Sequence, residues 1–476
     1  MSRTRTIAFD TIAIFTGKAL GLLMGILRLN FISRYLGVET FGILNFAAYL
    51  FALFAVIGDL GLPSILTRDI SRSPADTRRL LGTGLAFKAV TLAAVTLCMA
   101  GVLLFSRFDT ASAQAVLLTL VAFLFTSSSS IFLSALQAHQ RMRLVSVAVL
   151  LNDGINSVAV VALLGFFPSI MTVLLIGACV AALNFVGLAI ICRRLFGSYW
   201  PVFDRASVRY FFLQGYPLAL SGLGIAVYLY IGSTILKYTR SDAETGQYTA
   251  ALKLFSILTL LPASLTQVIY PILSGFYATQ KEKLPKAFRD SLRVMALASI
   301  PIALGTIVLA ARIIGFVYSG KDFSPAIPVL AILVGGVSVG HLNWVITSLL
   351  LSVNRQKITM IATLLVAIVA VIANMILVPS FGPRAVAWIV TGTDAVLFVS
   401  FFLYLARTEY AIRPIALFGK PLLAALCMSA VLLLTPQLHI LLAVPLGMIT
   451  YAAVMIMLRG FGQQEREMMQ GLLRRL

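Results

Sequence analysis

Charge is scarce in this chain. Asp, Glu, Lys and Arg together make up 11% of its 476 residues, and 60% are hydrophobic. Soluble proteins carry about a quarter charged residues, so an ordinary soluble domain is excluded and a polytopic membrane protein remains. Acidic residues are the scarcest, 17 against 37 Lys and Arg, for a formal net charge of +20. The four cysteines, Cys98, Cys179, Cys192 and Cys427, lie in or at the end of apolar runs without CxxC or Cys/His spacing, which excludes a disulfide framework and a zinc-type site. No loop has Walker spacing, so coupling to ATP through this chain is not expected. The basic start MSRTRTIAFDTIAIF runs on through Asp10 and Lys18 without a small-residue cleavage site, and reads as a retained first span.

What is present is a succession of long apolar runs. A bilayer-crossing helix needs about 20 mostly apolar residues, and such runs begin near residues 11, 41, 80, 112, 144, 169, 210, 247, 292, 326, 358, 384, 414 and 438. That makes about fourteen spans, an even number that puts both termini on one side. With the N-terminus in the cytoplasm, the inside segments hold about 25 Lys and Arg and the outside segments about 7. This is the asymmetry of the positive-inside rule. The net charge is thereby explained by loops facing an anionic leaflet, and nucleic acid is not an expected partner.

The chain also matches itself. GILNFAAYLF from Gly42 aligns without gaps to GQYTAALKLF from Gly246, with a Glu-Thr pair shortly before each (Phe41 intervening in the first), and LQAHQRMR ending at Arg143 pairs with LLSVNRQK ending at Lys357. The expected organisation is a six-helix lobe over 1–192, a basic cytoplasmic linker over 193–209, a second six-helix lobe over 210–406, and two additional helices with a tail over 407–476. Internal repeats of this kind are common in transporters.

Residues 28–71, RLNFISRYLGVETFGILNFAAYLFALFAVIGDLGLPSILTRDIS, resemble the opening of the polysaccharide biosynthesis or O-antigen flippase family, within the multidrug/oligosaccharidyl-lipid/polysaccharide exporter superfamily. The resemblance lies in the Arg-x-Leu-Gly step at Arg34 to Gly37, in Glu39 with Phe41-Gly42, and in the Asp-Leu-Gly-Leu turn from Asp59 to Leu62. Residues 216–274 look like the start of that family's second half, with Gly232 and Ser233 where the family often has an aspartate. The resemblance implies an all-helical fold of two pseudo-symmetric lobes plus two helices, in the bacterial inner membrane. It also implies a flippase moving undecaprenyl-pyrophosphate-linked oligosaccharide repeat units of O-antigen, exopolysaccharide or capsule type. Expected partners are that substrate, membrane lipids, and a polysaccharide polymerase with its chain-length machinery. A lipid II flippase and a cation-coupled drug exporter are the alternatives within the superfamily.

Charges inside the spans are the candidate site. A Lys or Arg at mid-span costs about 2.5 to 3.5 kcal/mol, against a gain of about 0.3 to 0.6 for each Leu, Ile, Phe or Val. The first span carries two, so it does not face lipid all round. Lys18, Gly21, Gly25 and Arg28 fall within about 80° of one another on a helix, forming one basic, glycine-lined stripe. Lys18 and Arg28, with Lys253 and Lys88, are the candidates to hold a pyrophosphate in a central cavity. Asp394, Asp59, Asp153 and His341 are the candidates for coupling to a proton or sodium gradient. No cofactor is expected. Short outside connections leave no room for the large catalytic loop of a membrane-embedded polymerase, so no catalytic residues are expected.

Overall fold

The computed structural model describes residues 3–106, 108–318, 323–412 and 414–460. Only the backbone is described at 3–20, 22–23, 217–218, 221 and 414–416. All regular structure among these residues is helical: α1 (Arg3–Asp59), α2 (Leu62–Arg72), α3 (Thr77–Phe105), α4 (Thr110–Ala138), α5 (Met142–Leu164), α6 (Ile170–Phe196), α7 (Arg205–Thr239), α8 (Asp242–Leu258), α9 (Leu260–Thr279), α10 (Leu284–Val317), α11 (Ala326–Gly335), α12 (Val337–Ser352), α13 (Gln356–Phe381), α14 (Pro383–Leu405), α15 (Pro414–Leu434) and α16 (Ile440–Met457). α1 is two helices joined at Gly37, whose φ of 78° only glycine adopts readily. Counting α1 as two, with α2 taken together with its second part, and α8–α9 and α11–α12 as one segment each, the helices correspond to the expected spans. Twelve segments among the described residues are long and apolar enough to cross a membrane, and the chain is a multi-pass membrane protein.

Local chemistry sets the ends. Asp109, Ser169 and Asp204 cap α4, α6 and α7, each accepting from a backbone N–H two or three residues on. Left-handed glycines end α6 at Gly197 and α13 at Gly382, and Pro383 starts α14 where a helix has no donor to lose. Between α1 and α2 the chain turns at Leu60 and Gly61, both at positive φ, and Pro63 lies in the first turn of α2.

The chain forms two compact units, Met1–Thr249 with Val317–Asp322, and Ala250–Phe316 with Phe323–Leu476. In the first, one apolar cluster gathers Leu62, Leu66, Phe87, Phe132 and Phe211, and another Phe46, Phe51, Val95, Met99 and Val116. The core of the second runs through Leu273, Phe288, Met295, Val345, Leu349 and Phe401. The lipid-facing sides stay apolar: Leu97, Leu183, Ile376 and Leu433 are all exposed, as residues solvated by hydrocarbon are.

Candidate functional site

The stripe on α1 is open where its glycines lie. A Cβ added at Gly21 or Gly25 would meet nothing within 4 Å among the described residues, so none of these packs against α1 at the two glycines. One turn on, the Arg28 guanidinium donates to Asn156 Oδ1 on α5 at 2.8 Å and feels the charge of Asp153. Asp153 itself is exposed and accepts from Asn152 Nδ2 at 3.2 Å. Arg28 and Asp153 thus lie on the packed helix pair α1 and α5, and Asn156, not among the expected site residues, is what holds the guanidinium. The signal for Asn156 was available: it lies three residues from Asp153, one turn along the same helix. The Lys18 side chain lies outside the described residues.

Asp59 and Lys88 also meet. The Lys88 ammonium, 1% exposed, lies 2.5 Å from Asp59 Oδ1 and 3.1 Å from Gly58 O. Ser127 donates to the same Asp59 oxygen at 2.9 Å, and Thr91 donates to Gly58 O at 2.7 Å. The last turn of α1, freed from helix bonding by the turn at Leu60 and Gly61, is therefore closed by side chains of α3 and α4. A buried ammonium needs such a set of acceptors. Arg68 pairs instead with the neighbouring Asp69 at 2.9 Å. The Asp59 side chain remains 39% exposed, so one face of the carboxylate is open.

In the second unit the polar groups lie on the α11–α12 segment and α14. Gly336 and Gly340 let α14 close in: a Cβ at Gly336 would come 2.8 Å from Thr391 Cγ2, and one at Gly340 would come 2.8 Å from Asp394 Oδ2. Asn343 Nδ2 donates to Asp394 O at 2.9 Å, while Asn343 Oδ1 has no hydrogen-bond partner among the described residues. His341 is buried, and neither ring nitrogen has a hydrogen-bond partner there. Lys253 lies half-buried on α8.

Two further features were not anticipated. Gly42 and Gly246, the matched first residues of the internal repeat, pack against each other's backbone. A Cβ at Gly42 would strike Asp242 O, and one at Gly246 would strike Val38 O. Beside this crossing Lys237 pairs with Asp242 and lies 3.6 Å from Asp109, with its ammonium 6.0 Å above the Phe46 ring. Next to it Tyr49 stacks on Tyr230 at 5.2 Å. A single sequence shows the glycines, but only the fold shows that they touch.

Comparison with known proteins fits this architecture. The family described as polysaccharide biosynthesis protein matches residues 7–277, more than half of the chain. A probable low-salt glycan biosynthesis flippase, Agl15, of Haloferax volcanii is 25% identical over 164 residues, a match covering 34% of either chain. Among solved structures, the lipid II flippase MurJ in an inward closed conformation has a TM-score of 0.80 at 17% identity, over 94% of this chain and 99% of that one. An inward-facing multidrug resistance MATE family transporter of the MOP superfamily has a TM-score of 0.68 at 15% identity, over 81% of this chain and 93% of that one. The chain belongs to the polysaccharide biosynthesis protein family and has the fold of these transporters.

Proposed function

We propose that this chain is a flippase for lipid-linked oligosaccharide. It moves polysaccharide repeat units carried on undecaprenyl pyrophosphate from the cytoplasmic to the periplasmic leaflet of the bacterial inner membrane, by alternating access. The observation that carries this reading is the open space at Gly21 and Gly25 of α1 among the described residues, continued by Arg28 on Asn156. A glycine-lined basic wall lets a phosphate-bearing headgroup approach the backbone and meet a cation in a low-dielectric setting. Lys18, Arg28 and Lys253 hold the pyrophosphate; Lys88 joins them only where Asp59 releases it. Asp394 and His341, with Asp59 and Asp153, carry the coupling proton or sodium ion. Both termini are cytoplasmic, the repeats are 1–192 and 210–406 joined by 193–209, and 407–476 adds two helices. The exported units supply a polysaccharide polymerase and its chain-length machinery.

The test is export of lipid-linked sugar in cells lacking their own flippase. Lys18→Ala, Arg28→Ala and Lys253→Ala together are expected to abolish export at normal protein levels, and undiminished export by the triple variant refutes the site. The fold likeness over 94% of the chain favours a second reading, a lipid II flippase. Rescue of a strain depleted of its lipid II flippase would establish that reading in place of the first.

A further inference from the structure

We propose that the first unit carries a binding site for an anionic phospholipid in the groove between α5 and α6. The groove has a volume of about 160 Å³. It runs from Leu144 and Ile191 at one end to Ile155 and Val180 at the other, with exposed rims at Leu151 and Leu183. From Leu144 to Ile155 the helix rises about 16 Å, close to half of the roughly 30 Å hydrocarbon core. The groove therefore matches one acyl chain in one leaflet, and is short for a long polyprenyl tail.

The surface end of the groove is cationic. Arg143 lies four residues before Val147 and Arg194 three beyond Ile191, so both continue a groove-lining face by one turn, and Arg141 is the N-cap of α5, its C=O accepting from Leu144 N–H. All three are exposed, at the level where a single lipid phosphate sits. The neighbouring connection marks that level. Tyr199 is tied back to Ala189 O at 2.8 Å, while Trp200 and Phe203 are 73% and 69% exposed, as aromatic residues are at a membrane–water boundary. Val202 N–H donates to Gly82 O at 3.2 Å, which fixes this strip to the start of α3.

Full-length protein in nanodiscs tests the site, with Trp200→Phe, Trp344→Phe and Trp388→Phe as background and Leu151→Trp as reporter. Phosphatidylglycerol brominated on its acyl chains is expected to reach half-maximal quenching at a mole fraction about ten-fold below that of brominated phosphatidylcholine. Arg141→Gln, Arg143→Gln and Arg194→Gln together should bring the two lipids level, and Gly187→Leu, which fills the groove, should weaken quenching by both. Should the arginine variant fail to fold, a salt series on the unaltered arginines decides: the preference must shrink at about 0.5 M, where exposed charges are screened. Equal quenching by the two lipids, a preference that survives loss of the arginines or high salt, or displacement by polyprenyl phosphate at a lower mole fraction than unbrominated phosphatidylglycerol would overturn the proposal.

Discussion

In the first unit the turn at Leu60 and Gly61 is closed by Lys88, whose ammonium takes both Gly58 O and Asp59. In the second, the bend at Gly336 is followed by His341, whose ring nitrogens find no hydrogen-bond partner among the described residues. One region has matched its buried charge with acceptors; the other has left a titratable ring without them. A satisfied pair rigidifies its surroundings, whereas an unsatisfied buried polar group carries a desolvation cost. The contrast teaches that a charge inside a span is not by itself a mark of chemistry: its partners decide whether it holds the fold or stands ready to exchange a proton or ion.

The largest effect is expected at Asp59. Asp59→Ala leaves Lys88 buried beside one carbonyl, and a loss of about 3 kcal/mol is expected, toward the low side for a broken buried pair because Asp59 is partly open to water. Denaturation in detergent micelles measures it, and adding Lys88→Met should restore most of the loss. Next in size is Gly340→Ala, which puts a methyl 2.8 Å from Asp394 Oδ2. Overpacking there should cost about 1 to 3 kcal/mol, seen as a lowered thermal midpoint together with altered ion dependence of transport. For His341→Leu no hydrogen bond to the described residues is lost, so stability should change by less than about 1 kcal/mol. Ion-dependent transport in proteoliposomes should nevertheless fall if the ring takes part in coupling.

The smallest effect concerns His139, in the turn between α4 and α5, where it meets Thr77 Oγ1 at 2.9 Å and stacks near Phe196 at 4.5 Å. Burial, and then the nearby Arg141, hold its pKa below the ordinary 6.5. The unfolded chain therefore binds a proton more readily than the folded one, so the stability this ring contributes is present above about pH 6.5 and is lost as pH falls through the lower folded value. A modest drop in thermal midpoint between pH 7.5 and 5 is expected, and His139→Gln should flatten it.

The span pattern was legible in the sequence because hydrophobic length is itself the physics of insertion. The glycine-lined face of α1 was legible for a related reason, since helical periodicity fixes which residues share a side. What pairs with what was not. Lys88 and Asp59 are 29 residues apart and Arg28 and Asn156 are 128 apart; no local rule relates them, and only the packing of α1 against α3 and α5 brings them together. That His341 finds no hydrogen-bond partner among the described residues was hidden for the same reason, because partners are a property of the surroundings.

The crossing of Gly42 and Gly246 carries a consequence for mutation. Each glycine is the clearance the other's helix requires, so a side chain at either one forces the same two backbones apart. The pair is one target written at two places in the gene. The double variant should lose little more than the worse single variant, as strongly coupled neighbours do, and a compensating change for one has to be sought on the opposite helix.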